Sequence, residues 1–244
     1  MDKSRQYCEL LSGLVHRFAD TQMKALGEAA HAVALSMTQG GTLYVFGTGH
    51  SHMIAEEFFY RAGGLARVYP ILDEGLMLHN GAHKSTDMER LPGYAEAVLS
   101  RYDTQAADVL LIASNSGRNA VPVEMAMLAK EKKMMVIGLT NLEHSRQVEA
   151  RHSSGKKLYE LCDIVIDNCG VFGDAAIQID GIGRMGSTSS VIGCMAAQLL
   201  GMMTAQEMLN LGAQPEIYSS ANTDEGEARN REILRKYEGI IKPL

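Results

Sequence analysis

The apolar positions change period once, early in the chain. From Ser4 to Gln39 they recur at helical steps. Leu10, Leu11, Leu14, Val15 and Phe18 begin a stripe that Met23, Leu26, Ala30, Val33, Ala34 and Met37 continue. The stripe predicts N-terminal helices over 1–40, with a break near Asp20. Gly40-Gly41 ends them, as glycine commonly ends helices. Leu43-Tyr44-Val45-Phe46 is then a short apolar run, which predicts a strand. Further strands are expected at Ala66–Leu72, Val109–Ala113, Met134–Leu139 and Ile164–Ile166. Helical segments near Ser51–Arg61, Leu91–Arg101, Asn119–Lys132 and Ser154–Leu161 alternate with them. Apolar strands alternating with helices indicate a parallel sheet covered on both faces.

Ala175–Ile179 adds an expected edge strand, Ser187–Leu211 a long apolar helix and Glu227–Tyr237 a polar one. The expected fold class is α/β: a doubly wound parallel sheet of five strands with N-terminal helices and a C-terminal tail. A single domain over 1–244 is expected: helices over 1–40, sheet core and closing helix over 41–213, tail over 214–244. Asp73–Arg90 and Pro215–Glu225 read as long loops, which in compact domains are usually functional or mobile.

Composition narrows the function. The 244 residues are 46% apolar and 21% charged, which suits a globular chain with a real core. A net charge of -6 argues against a nucleic-acid surface, although a local site can still hold an anion. No apolar run approaches the length of a membrane span. Cys8, Cys162, Cys169 and Cys194 have no C-x-x-C spacing and read as reduced thiols, so a cytoplasmic protein is expected.

Two loops carry the candidate chemistry. Gly47-Thr48-Gly49-His50-Ser51 follows the first strand and opens a helix. Its glycines let the backbone turn closely around an anion, and the helix N-terminus offers free N–H groups. A Gly-x-Gly turn alone is common in α/β proteins without ligands. Ser114-Asn115-Ser116-Gly117-Arg118-Asn119 follows the third strand and also opens a helix, with Asn119 placed to cap it. In the strand order 2-1-3-4-5, strands one and three are neighbours whose helices leave on opposite faces. The ligand crevice opens at that switch point, so both loops converge on one anion.

A dinucleotide site is the rival. Its fingerprint needs a glycine where this chain has His52, although Asp73 stands where a ribose-binding acid would sit. It leaves the second loop unexplained.

These residues resemble the SIS (sugar isomerase) domain of phosphosugar isomerases and phosphosugar-binding proteins. Gly47-Thr48-Gly49-His50-Ser51 is similar to its first signature and Ser114-Asn115-Ser116-Gly117 to its second. Gly138-Leu139-Thr140-Asn141, Asp163-Ile164-Val165-Ile166 and Ser187–Leu200 resemble its fourth strand, fifth strand and closing helix. The overall pattern is most similar to a bacterial branch with one SIS domain. It also resembles phosphoheptose isomerases and N-acetylmuramic acid 6-phosphate etherases.

The resemblance implies that Ser51, Ser114 and Ser116 bind a sugar phosphate, with Asn115 and Gly117 shaping the loop. Where many members carry a hydroxyl, this chain has Asn119. Where phosphoheptose isomerases carry a catalytic Glu, it has Arg61, and its closing helix has no His. The resemblance further implies no cofactor and a homodimer or homotetramer.

Isomerisation needs a base that moves a proton between adjacent carbons. The candidates are Glu56 and Glu57, early in the helix that Ser51 opens, and His79 and His83, beyond the second strand. Glu56 and Glu57 also suit the positive end of a helix dipole, and both histidines also suit a solvated loop. His50-x-His52 and His79-x-x-x-His83 carry metal-binding atoms, but no spacing joins the pairs, and no metal is expected. Three functions follow: a sugar-phosphate isomerase or related enzyme, a phosphosugar sensor acting on a protein partner, or a dinucleotide-dependent enzyme.

Overall fold

The computed structural model describes residues 2–244. Helix α1 spans Lys3–Thr38 and opens where the Asp2 carboxylate accepts the Ser4 N–H at 3.0 Å. It does not break near Asp20. That residue is exposed, and Phe18, Leu26 and Val33 keep one buried stripe across it. Gly40, at φ +86°, turns the chain into the first strand.

Five strands follow: β1 (Leu43–Gly47), β2 (Val68–Ile71), β3 (Val109–Ala113), β4 (Met135–Thr140) and β5 (Ile164–Asp167). They form one parallel sheet in the order β2-β1-β3-β4-β5. The connecting helices are α2 (Met53–Phe58), α3 (Ala82–Glu89), α4 (Tyr94–Leu99), α5 (Ala120–Glu131) and α6 (Leu142–Gln147). After the sheet come β6 (Ala175–Ile179), β7 (Gly183–Ser187), α7 (Ser189–Asn210) and α8 (Asp224–Tyr237).

β1, β2 and β3 are buried on both faces, and the strand side chains alternate between two cores. Leu43 and Val45 of β1, with Val109 and Leu111 of β3, pack under α1, α2 and α7. Tyr44 and Phe46, with Leu110 and Ile112, pack under α4, α5 and α8. Helices leaving β1 and β3 thus lie on opposite faces, and the crevice between their loops opens at the carboxyl ends of the strands.

Three further expectations are corrected. Ala175–Ile179 does not extend the sheet. It pairs antiparallel with β7 in a separate hairpin, turned by Gly181 and Gly183 at positive φ. Asp73–Arg90 is not one long loop, since it holds two 3-10 turns and α3. α3 has almost no apolar face, and only Ser85 is buried. Ser154–Leu161 forms only a 3-10 turn at Leu158–Glu160. The helix of that connection is α6, capped by Asn141, whose side-chain oxygen accepts the His144 N–H at 2.7 Å.

Candidate functional site

The first loop is shaped by glycine. A Cβ on Gly47 would stand 2.3 Å from the Ser51 carbonyl oxygen, so the chain can double back only without a side chain there. Gly49, at φ +54°, starts a 3-10 turn over Gly49–His52. Within it Ser51 N–H donates to the Thr48 carbonyl at 2.9 Å. His52 is buried, and its Nδ1 bonds to the Gly49 carbonyl. The turn is therefore held from inside, with His50 and Ser51 on its free side.

The second loop is shaped by Gly117, at φ +59°. Its N–H donates to Ser114 Oγ at 3.2 Å, and its carbonyl accepts the Leu158 N–H at 2.8 Å. Asn115 is fixed from three sides. Its carbonyl accepts from Asn141 N–H (3.1 Å) and Thr140 Oγ1 (3.3 Å), and its Oδ1 accepts from Asn168 Nδ2 at 2.8 Å.

Between the loops lies a small, open crevice. His50, Ser51, Ser114 and Asn115 line it, so the structure brings four of the sequence-derived positions together. Asn168, Ser189 and Ser190 complete its polar wall. Sequence reasoning missed these three. Their signal was position: Asn168 follows β5 as Ser114 follows β3, and Ser189-Ser190 opens α7. The α7 N-terminus is held by Asp174. That carboxylate accepts from Thr188 N–H (2.9 Å), Ser189 N–H (2.7 Å) and Ser189 Oγ (2.7 Å). The Ser51 and Ser190 hydroxyls make no side-chain hydrogen bond among the described residues and remain open to a ligand.

The other candidates sit elsewhere. Ser116 is half-buried beside the crevice wall. Asn119 precedes α5 without capping it by its side chain, and its Oδ1 accepts from Arg151 at 2.9 Å. Glu56 is exposed, 3.7 Å from His52 Nε2. Glu57 is bound by Gln198 Nε2 at 2.8 Å and Arg61 at 3.0 Å, so Arg61 neutralises a carboxylate of its own helical segment. His79 is exposed, its ring 6.1 Å from that of His52, and His83 faces solvent. None of these four lines the crevice. Asp73 is buried and taken by the protein, accepting from Tyr94 OH (2.7 Å), Gly75 N–H (2.9 Å) and Arg101 (3.3 Å).

Beyond the second loop, burial and then Arg118 hold the His144 imidazole below its ordinary range, with Asp174 opposing. Its Nδ1 accepts the Gly173 N–H at 3.0 Å.

The model of the SIS domain matches residues 6–141. The chain belongs to the SIS-domain family. It is 43% identical over 232 residues to a UPF0309 protein of Halalkalibacterium halodurans, covering 95% of this chain and 96% of that one. A UPF0309 protein of Listeria innocua is 38% identical over 239 residues, 98% of this chain and 97% of its own. Among solved structures, a phosphoheptose isomerase from Francisella tularensis superposes with a TM-score of 0.58 at 18% identity. The match covers 84% of this chain and 97% of that one. The phosphoheptose isomerase of Neisseria gonorrhoeae gives 0.54 at 16%, with the same coverage. These two likenesses are of fold. Along this SIS domain, the Gly47–Ser51 and Ser114–Asn119 loops both fall inside the matched stretch.

Proposed function

We propose that this SIS domain binds a sugar phosphate at the switch-point crevice and isomerises it between aldose and ketose forms. The observation that supports the reading most is the meeting of two hydroxyl-bearing loops, from β1 and β3, on one crevice. Ser51, Ser114 and Ser116 donate hydroxyl hydrogen bonds to the phosphate. Backbone N–H groups at the 3-10 turn and at α5 add partial positive charge, and Gly47, Gly49 and Gly117 let the backbone approach. Asn115, Asn168 and Ser190 are placed for the sugar hydroxyls. The phosphoheptose isomerases that share the fold act on such substrates by their names.

Isomerisation moves a proton from C2 to C1 through an enediol, while a second proton moves between the two oxygens. His50 is the ionisable side chain in the crevice wall. It is assigned the proton transfer, because an imidazole can both give and take a proton.

A second reading has an observation of its own. The four carboxylate and imidazole candidates lie outside the crevice wall, which suits a sensor that holds the sugar and signals to a protein partner. Incubation with hexose, heptose and amino-sugar phosphates, followed by product analysis, separates the two. Turnover lost in His50→Ala with binding kept supports the isomerase. Binding without turnover supports the sensor. Binding unchanged in Ser51→Ala and Ser116→Ala removes the site assignment from both.

A further inference from the structure

The β3 side of the crevice has a fixed hydrogen-bond sense. Asn168 follows β5, is 3% exposed and lines the crevice together with Asn115. Its backbone N–H donates to the Thr140 carbonyl at 2.8 Å. Its Oδ1 accepts the Gly170 N–H at 2.9 Å. A backbone N–H can only donate, so this contact decides which end of the Asn168 amide is oxygen. The other end then faces Asn115, and Nδ2 donates to Asn115 Oδ1 at 2.8 Å. Glycine keeps the contact with Asn168 close. A Cβ on Gly170 would stand 2.7 Å from Thr188 Oγ1, 2.8 Å from Asn141 Nδ2 and 3.0 Å from Asn168 Oδ1.

Asn115 is thereby left with donors alone. Its Oδ1 is held by Asn168, and its main-chain carbonyl by Asn141 N–H and Thr140 Oγ1. Among the described residues, its Nδ2 and its backbone N–H donate to nothing. The Nδ2 is not enclosed by protein, and it belongs to a half-buried side chain of the crevice wall. Ser114 Oγ, beside it, already accepts the Gly117 N–H at 3.2 Å, which leaves its hydrogen free to donate. An amide free to turn serves a hydroxyl as readily as a carbonyl. One held in this way favours an oxygen that only accepts.

We propose that Asn168 is a positioning residue, which fixes Asn115 as a donor to the carbonyl oxygen of an open-chain sugar phosphate. The inference rests on the sugar-phosphate reading and deepens it: among the groups placed for the sugar, Asn115 takes the oxygen on which charge develops. When an aldose loses its C2 proton to His50, the C2–H electron pair forms the C1–C2 double bond. The carbonyl pair then moves onto the C1 oxygen. A donor already aimed at that oxygen stabilises the charge without reorganising.

Calorimetric titration with a hexonate 6-phosphate and with the matching hexitol 6-phosphate tests this. At C1 the hexonate offers a carboxylate, which only accepts, and the hexitol a hydroxyl, which also donates. The wild type is expected to bind the hexonate about tenfold more tightly, one charge-assisted hydrogen bond's worth. Asn168→Asp keeps an acceptor for the Gly170 N–H and removes the donor to Asn115. The Asn115 amide then turns over, so the advantage should vanish while hexitol affinity stays within about threefold. Asn168→Ser is neutral, keeps a weaker acceptor for Gly170 and is too short to reach Asn115, and it should do the same. An advantage lost in the Asp variant but kept in the Ser variant is an effect of charge and overturns the inference. In Asn115→Ala the advantage should already be gone, and adding Asn168→Ser should change neither affinity by more than about twofold. A further loss of both ligands there marks a merely structural role and overturns the inference, as does an advantage that survives Asn115→Ala. Ser51→Ala tells the two readings apart. If it weakens both ligands while the wild type shows no hexonate advantage, the role of Asn168 falls and the phosphate site stands. If neither ligand binds the wild type, both fall.

Discussion

The two ends of the parallel sheet treat their polar groups differently. At the amino ends of β1 and β3, the protein satisfies its own. Asp108 is buried, with its two oxygens accepting the N–H groups of Thr42 (2.8 Å) and Gln105 (2.7 Å). Ser36 Oγ donates to the Ala107 carbonyl at 2.6 Å. Tyr44 stacks on Tyr69 at 5.2 Å, Tyr102 meets Tyr69 edge-on at 5.1 Å, and burial pushes the Tyr102 phenol up to about 12. Thr104 Oγ1 is the exception there among the described residues. At the carboxyl ends, Arg118 Nε, Asn141 Nδ2 and Ser145 Oγ are buried without partners. Native proteins rarely leave such atoms unpaired. Buried polar atoms without partners thus gather at the carboxyl ends, beside the crevice, more than at the amino ends of β1 and β3.

The sharpest way to break that comparison is Asp108→Ala. The Thr42 N–H, in a buried bond, and the Gln105 N–H, in a half-buried one, lose their charged acceptor, so the cost is about 2–4 kcal/mol of stability. Urea denaturation would measure it, and sugar-phosphate affinity of the folded variant should stay unchanged. A large change in affinity would show that the amino ends also serve binding.

Gly47→Ala attacks the other end. Its Cβ would overlap Ser51 backbone atoms at 2.3–2.4 Å, so the first loop must move. The expected cost is about 1–3 kcal/mol, typical of overpacking, together with loss of sugar-phosphate binding. Retained binding would mean that the loop does not hold the ligand.

His144 gives the smallest effect. Its folded imidazole takes up a proton less readily than its unfolded one, because of burial and then Arg118. The unfolded state therefore binds more protons as pH falls below about 6.5, and stability declines through the lower folded value. Below that value the loss is complete. His144→Gln should make the denaturation midpoint less sensitive to pH between 7.5 and 5. An unchanged slope would remove His144 from the account.

The five strands were legible because each is a short apolar run ending at a polar loop, and the sheet order follows from where the loops fall. Less legible were elements without an apolar period. α3, Ala-His-Lys-Ser-Thr-Asp-Met-Glu, offers no stripe to a core. α6 is one short segment whose only sign is the Asn141 cap. The alternation in Ala175–Ile179 fits an edge strand and a hairpin equally, and Gly181 decided between them by turning the chain back. In the crevice, His50, Ser51, Ser114 and Asn115 could be read from motif and position together. Asn168, Ser189 and Ser190 carry no motif, and only the fold brings them to the same wall.

A crystal structure of the chain with a bound hexose 6-phosphate tests the central claim most directly. The phosphate is expected between the Gly47–Ser51 and Ser114–Asn119 loops, within hydrogen-bond distance of the Ser51, Ser114 and Ser116 hydroxyls. The sugar should then extend past His50 toward Asn168 and Ser190. A phosphate held at the amino ends of the strands, or away from both loops, would contradict the account.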